Sequence, residues 1–91
     1  MTIVRIPPTL RGETGGQRQV EATGDTVGAV LENLAATYPG LGAQIFEDGD
    51  VAPFVNVYLE GEDVRTLQGL ATPVTANATV ILLPAMAGGS R

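Results

Sequence analysis

The residues of this sequence whose types and spacing could do chemistry lie at its C-terminal end, Met86-Ala87-Gly88-Gly89-Ser90-Arg91. They follow the apolar run Thr79–Pro84, which predicts a final β-strand. A glycine pair just beyond a folded unit presents a main-chain carboxyl with no side chain beside it, in a form that can thread a narrow channel into another protein's active site. If that carboxyl is the reactive group, Gly89 carries it and Met86, Ala87 and Gly88 are the residues that thread. The chain is then a substrate and carrier rather than an enzyme. As written, Ser90-Arg91 follow, so Gly89 is an amide carbonyl, and the chemistry requires cleavage between Gly89 and Ser90. Either Ser90-Arg91 is a pro-extension that a peptidase removes, or it is an expression scar.

Composition narrows the chemistry further. The chain has no Cys, His or Lys, which removes disulfides, thiolate nucleophiles, His-assisted catalysis, Schiff bases and the usual zinc ligand sets. No side-chain ammonium is available for isopeptide links between copies of the chain. Ninety-one residues with 44% hydrophobic content suffice for one domain with a modest core. No apolar run approaches the roughly 20 residues of a membrane span, and the start Met1-Thr2-Ile3-Val4-Arg5 reads as a strand rather than a leader, so a cytoplasmic protein without membrane contact is expected. The formal net charge is −5 and the five arginines (5, 11, 18, 65 and 91) are scattered along the sequence. That excludes a basic stripe for nucleic acid and suggests a basic groove on a protein partner instead.

Several elements must position the tail. Ile3 to Ile6 predicts a first strand, Thr9 to Gly16 a turn region after Pro7-Pro8, and Gln17 to Ala22 a second strand that completes a hairpin. Thr26 is placed to N-cap a helix that runs to about Tyr38, where Pro39-Gly40 ends it; Val27, Val30, Leu31, Leu34 and Tyr38 form its apolar stripe. Residues 40 to 53 read as a loop with a helical turn around Ala43 to Phe46. Phe54 to Leu59 predicts a third strand, Glu60-Gly61 a tight turn, Glu62 to Arg65 a short edge strand, Thr66 to Ala78 a connector, and Val80 to Leu83 the last strand. This order specifies an α+β fold of the β-grasp, ubiquitin-like kind: a mixed sheet with one main helix across one face, a domain over residues 1–85, and a flexible C-terminal tail over 86–91.

One helix cannot cover both faces of such a sheet. If Val4, Ile6, Val55, Val57, Leu59, Val80 and Leu82 face the helix, strict alternation sends Ile3, Phe54, Tyr58, Ile81 and Leu83 to the other side. An exposed patch of that size marks a docking surface, unless the 40–53 loop folds over it. Glu47, Asp48 and Asp50 lack the full oxygen-ligand pattern of a calcium loop and read as a solvated acidic segment, so no metal site is expected. Gly12, Gly15 and Gly16 precede neither a Lys nor a helix start and read as a turn rather than a phosphate cradle. Glu62 and Arg65 read as rim or ordinary surface charges.

The chain resembles the ThiS/MoaD-type sulfur carriers, prokaryotic relatives of ubiquitin, over essentially its whole length. Within that family it is most similar to the carriers of actinobacterial cysteine synthesis. The resemblance is carried by Ile6-Pro7 with Thr9-Leu10-Arg11, Thr14-Gly15-Gly16-Gln17, Gly24-Asp25-Thr26, Gly28-Ala29-Val30, Phe54-Val55-Asn56, Glu62-Asp63-Val64-Arg65, Gly69-Leu70-Ala71-Thr72, and Leu83-Pro84-Ala85 leading to Ala87-Gly88-Gly89. It implies that an E1-like enzyme, using ATP and Mg, adenylates the Gly89 carboxylate and that sulfur then displaces AMP to leave a thiocarboxylate. It further implies a pyridoxal-phosphate-dependent cysteine synthase as acceptor, and a JAMM-type zinc metalloprotease that releases the product and trims the proform. Molybdopterin and thiamin branches use the same tail, and a ubiquitin-like modifier would place Gly89 in an amide bond to a target Lys. No cofactor is bound by the carrier itself in any of these schemes; catalytic groups belong to the partners.

Overall fold

A computed structural model of the chain describes residues 1–84; the tail residues Met86, Ala87, Gly88, Gly89, Ser90 and Arg91, with Ala85, lie outside the described residues. Strand β1 (Thr2–Arg5) pairs antiparallel with β2 (Gln19–Ala22), as the hairpin reading requires. Helix α1 (Val27–Thr37) follows, then α2 (Pro39–Ile45) and a two-stranded ribbon of β3 (Phe46–Glu47) and β4 (Asp50–Val51). Strands β5 (Val55–Leu59), β6 (Glu62–Asp63) and β7 (Thr79–Pro84) complete the main sheet, in the order β2-β1-β7-β5-β6. β7 enters the centre parallel to β1 and antiparallel to β5.

Register aligns the core residues across strands. Val20, Val4, Val80 and Leu59 form one row through β2, β1, β7 and β5, and Leu82 stands opposite Val57. Val4, Val80 and Leu82 are fully buried against Val27, Val30, Leu31 and Leu34 of α1, as the apolar stripe predicts, while Leu59 is only half-buried. Thr26 caps α1 as expected: its hydroxyl oxygen accepts from Ala29 N at 3.1 Å. The Val27 N–H, which has no partner inside the helix, donates to the Thr72 carbonyl at 2.9 Å, so the 66–78 connector ties down the helix start.

Four local expectations are corrected. The Thr9–Gly16 turn is a 3-10 helix over Pro8–Thr14 that ends at Gly15 in the left-handed region, φ 68°. α1 ends before Pro39 as expected, but the 40–53 segment is not a loop with one turn at Ala43–Phe46: Pro39 occupies the first turn of α2, where its missing N–H costs nothing, and α2 buries Leu41, Gly42 and Ile45. Gly42 is required there, since a Cβ would stand 2.6 Å from the Ala35 Cβ of α1. The edge strand stops at Asp63 rather than Arg65, because the Asp63 carboxylate caps a 3-10 turn at Val64–Thr66 by accepting from Arg65 N at 2.9 Å. Phe54 precedes β5 in a turn and is not part of the strand.

Neighbouring leucines of β7 separate core from surface. Leu82→Ala is expected to lower unfolding free energy by about 2–5 kcal/mol, whereas Leu83→Ala should change it by less than about 1 kcal/mol. Urea denaturation of both variants measures the contrast.

Candidate functional site

Alternation along the central strands builds the uncovered face. Across it, Gln19, Arg5, Ile81, Tyr58 and Asp63 form a continuous row through β2, β1, β7, β5 and β6. Ile3 lies on the same face between Glu21 and Thr79, and Leu83 lies nearer the end of β7, opposite Asn56. Leu83 is 42% exposed; Ile3, Tyr58 and Ile81 are half-buried. Phe54, 48% exposed, sits off the strand beside the Val55–Pro84 pair that ends the β5–β7 ladder. The alternative that the 40–53 segment covers this face is not realised: its Leu41, Ile45 and Ala52 are buried in the core with α1. The apolar residues therefore run the length of β7, from Ile3 beside Thr79 through Ile81 and Tyr58 to Leu83 and Phe54 near its end.

Polar side chains rim the patch on two sides. On the β6 side, Arg65 donates to both oxygens of Asp63, from Nε at 3.2 Å and Nη2 at 3.0 Å, and from Nη2 to Asn56 Oδ1. The side-chain hydrogen bond from Arg65, and then its backbone N–H, hold the Asp63 carboxyl below the usual aspartate range. The Arg65 guanidinium is shifted upward, first by the same hydrogen bond and then by the charge of Asp63. A carboxyl depressed in the folded state adds stability above the ordinary aspartate range and loses it as pH falls through the folded value. Arg65 is exposed and Asp63 half-buried, so the pair still meets solvent, contributes little to stability and is screened by salt.

The opposite side shows what sequence spacing concealed. Arg5, Arg11 and Arg18, scattered along the chain, line one groove of about 660 Å³ with Ile81 and Leu83. Among the described residues there is no group of three or more His, Cys, Asp or Glu arranged to hold a metal ion. Glu47 and Asp50 pair across the β3–β4 ribbon and, with Asp48, are exposed. No helix among the described residues is long and apolar enough to cross a membrane.

A mixed sheet with a central parallel pair, one main helix on one face, and a last central strand followed in sequence, after Ala85-Met86-Ala87, by Gly88-Gly89 defines a β-grasp, ubiquitin-like protein. Residues 4–89 match the ThiS family. The chain is 46% identical over 89 residues to the sulfur carrier protein CysO of Mycobacterium tuberculosis, covering 94% of this chain and 96% of the relative. It is 41% identical over 89 residues to the small archaeal modifier protein 3 of Haloferax volcanii, with the same coverage of each chain. Among solved structures, the Amycolatopsis orientalis BexX/CysO complex contains a chain that superposes with a TM-score of 0.91 at 38% identity, over 98% of this chain and 100% of that one. The chain belongs to the ThiS family, whose members of this type are small carrier proteins rather than enzymes.

The Asp63–Arg65 pair gives a measurable signature. In an NMR titration the Asp63 carboxyl should have a midpoint below that of an ordinary aspartate, and Arg65→Gln should return it towards that value. The stability difference between the two proteins should be present at neutral pH, vanish in acid, and shrink in high salt.

Proposed function

We propose that this chain carries sulfur as a thiocarboxylate on Gly89, after Ser90-Arg91 has been removed. The observation that supports this reading is the ThiS-family match, which runs to Gly89 and stops before Ser90, with Gly88-Gly89 following the central strand β7 in sequence four residues after Pro84. A carboxylate is a poor acyl donor because its charge is delocalised and its leaving group would be oxide. An E1-like enzyme using ATP and Mg overcomes this: a Gly89 carboxylate oxygen attacks the α-phosphorus, pyrophosphate departs, and the acyl-adenylate has AMP as its leaving group. Sulfide then adds to the acyl carbon and expels AMP, leaving the thiocarboxylate; a persulfide donor instead gives an acyl disulfide, from which a thiol frees the thiocarboxylate as it forms a disulfide with the donor sulfur. The thiocarboxylate is ionised at neutral pH and nucleophilic through sulfur.

In this reading the domain delivers the tail. Ile3, Tyr58, Ile81 and Leu83, with Phe54 at the margin, dock on the partner while Met86, Ala87 and Gly88 thread its channel. The similarity to carriers named CysO supports a pyridoxal-phosphate-dependent cysteine synthase as acceptor and a JAMM-type zinc metalloprotease as the trimming enzyme. ATP, Mg and pyridoxal phosphate belong to those partners. A second reading is favoured by the modifier relative: Gly89 is transferred to a target Lys as a protein tag. The absence of Lys in this chain confines such tagging to other proteins or to N-termini.

Mass spectrometry separates these outcomes. A protein ending at Gly89, incubated with its E1-like enzyme, ATP, Mg and sulfide, should gain the mass of one oxygen-for-sulfur exchange, and the chain ending at Arg91 should gain none. No gain in the trimmed protein rejects the carrier reading, and reductant-stable adducts to Lys in cell extracts would favour the modifier instead. Leu83→Asp should raise the carrier concentration needed for half-maximal adenylation by roughly tenfold or more without unfolding the domain, read by ATP–pyrophosphate exchange.

A further inference from the structure

The chain is acidic as a whole, with a formal net charge of −5, yet three of the four arginines among its described residues converge on one groove. Arg5 stands at the end of β1, Arg11 in the 3-10 helix over Pro8–Thr14, and Arg18 just before β2. No acidic side chain lines the groove. Among the described residues none of these three arginines is in an ion pair, whereas the fourth, Arg65, is committed to Asp63. Concentrating free cations against their mutual repulsion makes physical sense where a negative partner neutralises them.

The groove is held in shape by short-range bonds. Arg11 Nε donates to the Ile6 carbonyl at 3.1 Å, leaving its terminal nitrogens without a protein acceptor among the described residues. The Arg11 carbonyl in turn accepts from Gly16 N at 2.8 Å and lies 3.1 Å from the buried Thr14 hydroxyl. Gln17 Nε2 bonds the Thr14 carbonyl and the Tyr38 hydroxyl, both at 3.0 Å, which links this loop to the end of α1. The walls are Pro7 and Pro8, with fixed φ.

The chemistry of the lining selects among anions. Pro7 and Pro8 offer no backbone N–H, and the apolar Ile81 and Leu83 share the groove, so it lacks the convergent main-chain donors of a phosphate cradle. Three guanidinium groups on separate elements beside an apolar surface suit an extended peptide in which carboxylates alternate with a large apolar side chain, because guanidinium pairs bidentately with carboxylate. Arg5 is also the cross-strand neighbour of Ile81, so the groove continues the apolar face at the strand that leads to the tail.

We propose that the Arg5–Arg11–Arg18 groove binds an acidic, apolar-anchored segment of the enzyme that receives the Gly89 tail. The groove thereby sets the orientation in which the tail enters. This assignment of the partner rests on the carrier reading above; the recognition of an acidic peptide does not.

Two measurements test it. In ATP–pyrophosphate exchange with the Gly89-terminated protein and its E1-like enzyme, Arg5→Glu combined with Arg18→Glu should raise the KM for carrier roughly tenfold or more and flatten its dependence on salt, the loss falling on KM rather than kcat. Glu47→Lys on the distant ribbon serves as the charge control and should not raise it. Separately, a 15N-labelled wild-type protein is titrated with a synthetic peptide of alternating Glu and Phe, with its Lys-for-Glu counterpart, and with AMP. The acidic peptide alone should move the amide signals of Ile6, Arg18, Gln19 and Leu83, and the double variant should lose that response. Unchanged KM in the folded double variant overturns the docking role. Equal shifts with AMP, or none with the acidic peptide, overturn the peptide assignment. If the wild-type protein supports no exchange at all, the carrier reading fails, and the titration still decides what the groove binds.

Discussion

The parallel pairing of β1 with β7, Val4 beside Val80, is the constraint on which the rest of the molecule depends. Parallel neighbours cannot be joined by a tight turn, so the chain between them must leave the sheet and return. Here that excursion carries α1 and α2 across one face, and it returns through β5 and β6 before β7 closes the centre. Burial then falls on one side only. Val4, Val80 and Leu82 lose all solvent contact because α1 lies over them, and their neighbours in sequence are turned outward by the two-residue period of the strand.

That one-sidedness makes a strand into a presenting device. β7 is gripped by β1 and β5 as far as Ile81 and by β5 alone up to Pro84, so the β5 ladder sets the direction in which the strand ends. The same strand contributes Ile81 and Leu83 to the open face, placing apolar contact area beside the point of departure. In the function proposed above, such a carrier needs no catalytic side chain of its own: the strand and exposed patch would supply position, and the partner the chemistry.

Charge on this surface is arranged by side rather than by total. The β6 side has a self-satisfied Asp63–Arg65–Asn56 network, while the β1 side has three arginines that meet no carboxylate among the described residues. Net charge alone suggested a uniformly acidic surface facing a basic partner. The tertiary structure reverses the sign locally, because β1, the Pro8–Thr14 turn and the start of β2 meet at one end of the sheet.

Much of this was legible from local pattern. Thr26 followed by an apolar stripe at helical spacing located α1 and its cap, and alternation in Val80–Leu83 located both faces of β7, because each signal repeats within a few residues. Shorter features were not legible: α2 spans only Pro39–Ile45 among glycines, the β3–β4 strands are two residues each, and the end of β6 depends on one Asp63 cap. By itself, then, the sequence determined the α+β order with α1 as its main helix, the core face, and a Gly-Gly pair that follows the last strand. Only the tertiary structure decided that α2 packs on α1, that Phe54 lies off the strand, and that Arg5, Arg11 and Arg18 share one groove. The physical reason is range: propensity and periodicity act over neighbours in the chain, whereas a groove is made by strand pairing that joins residues far apart in it.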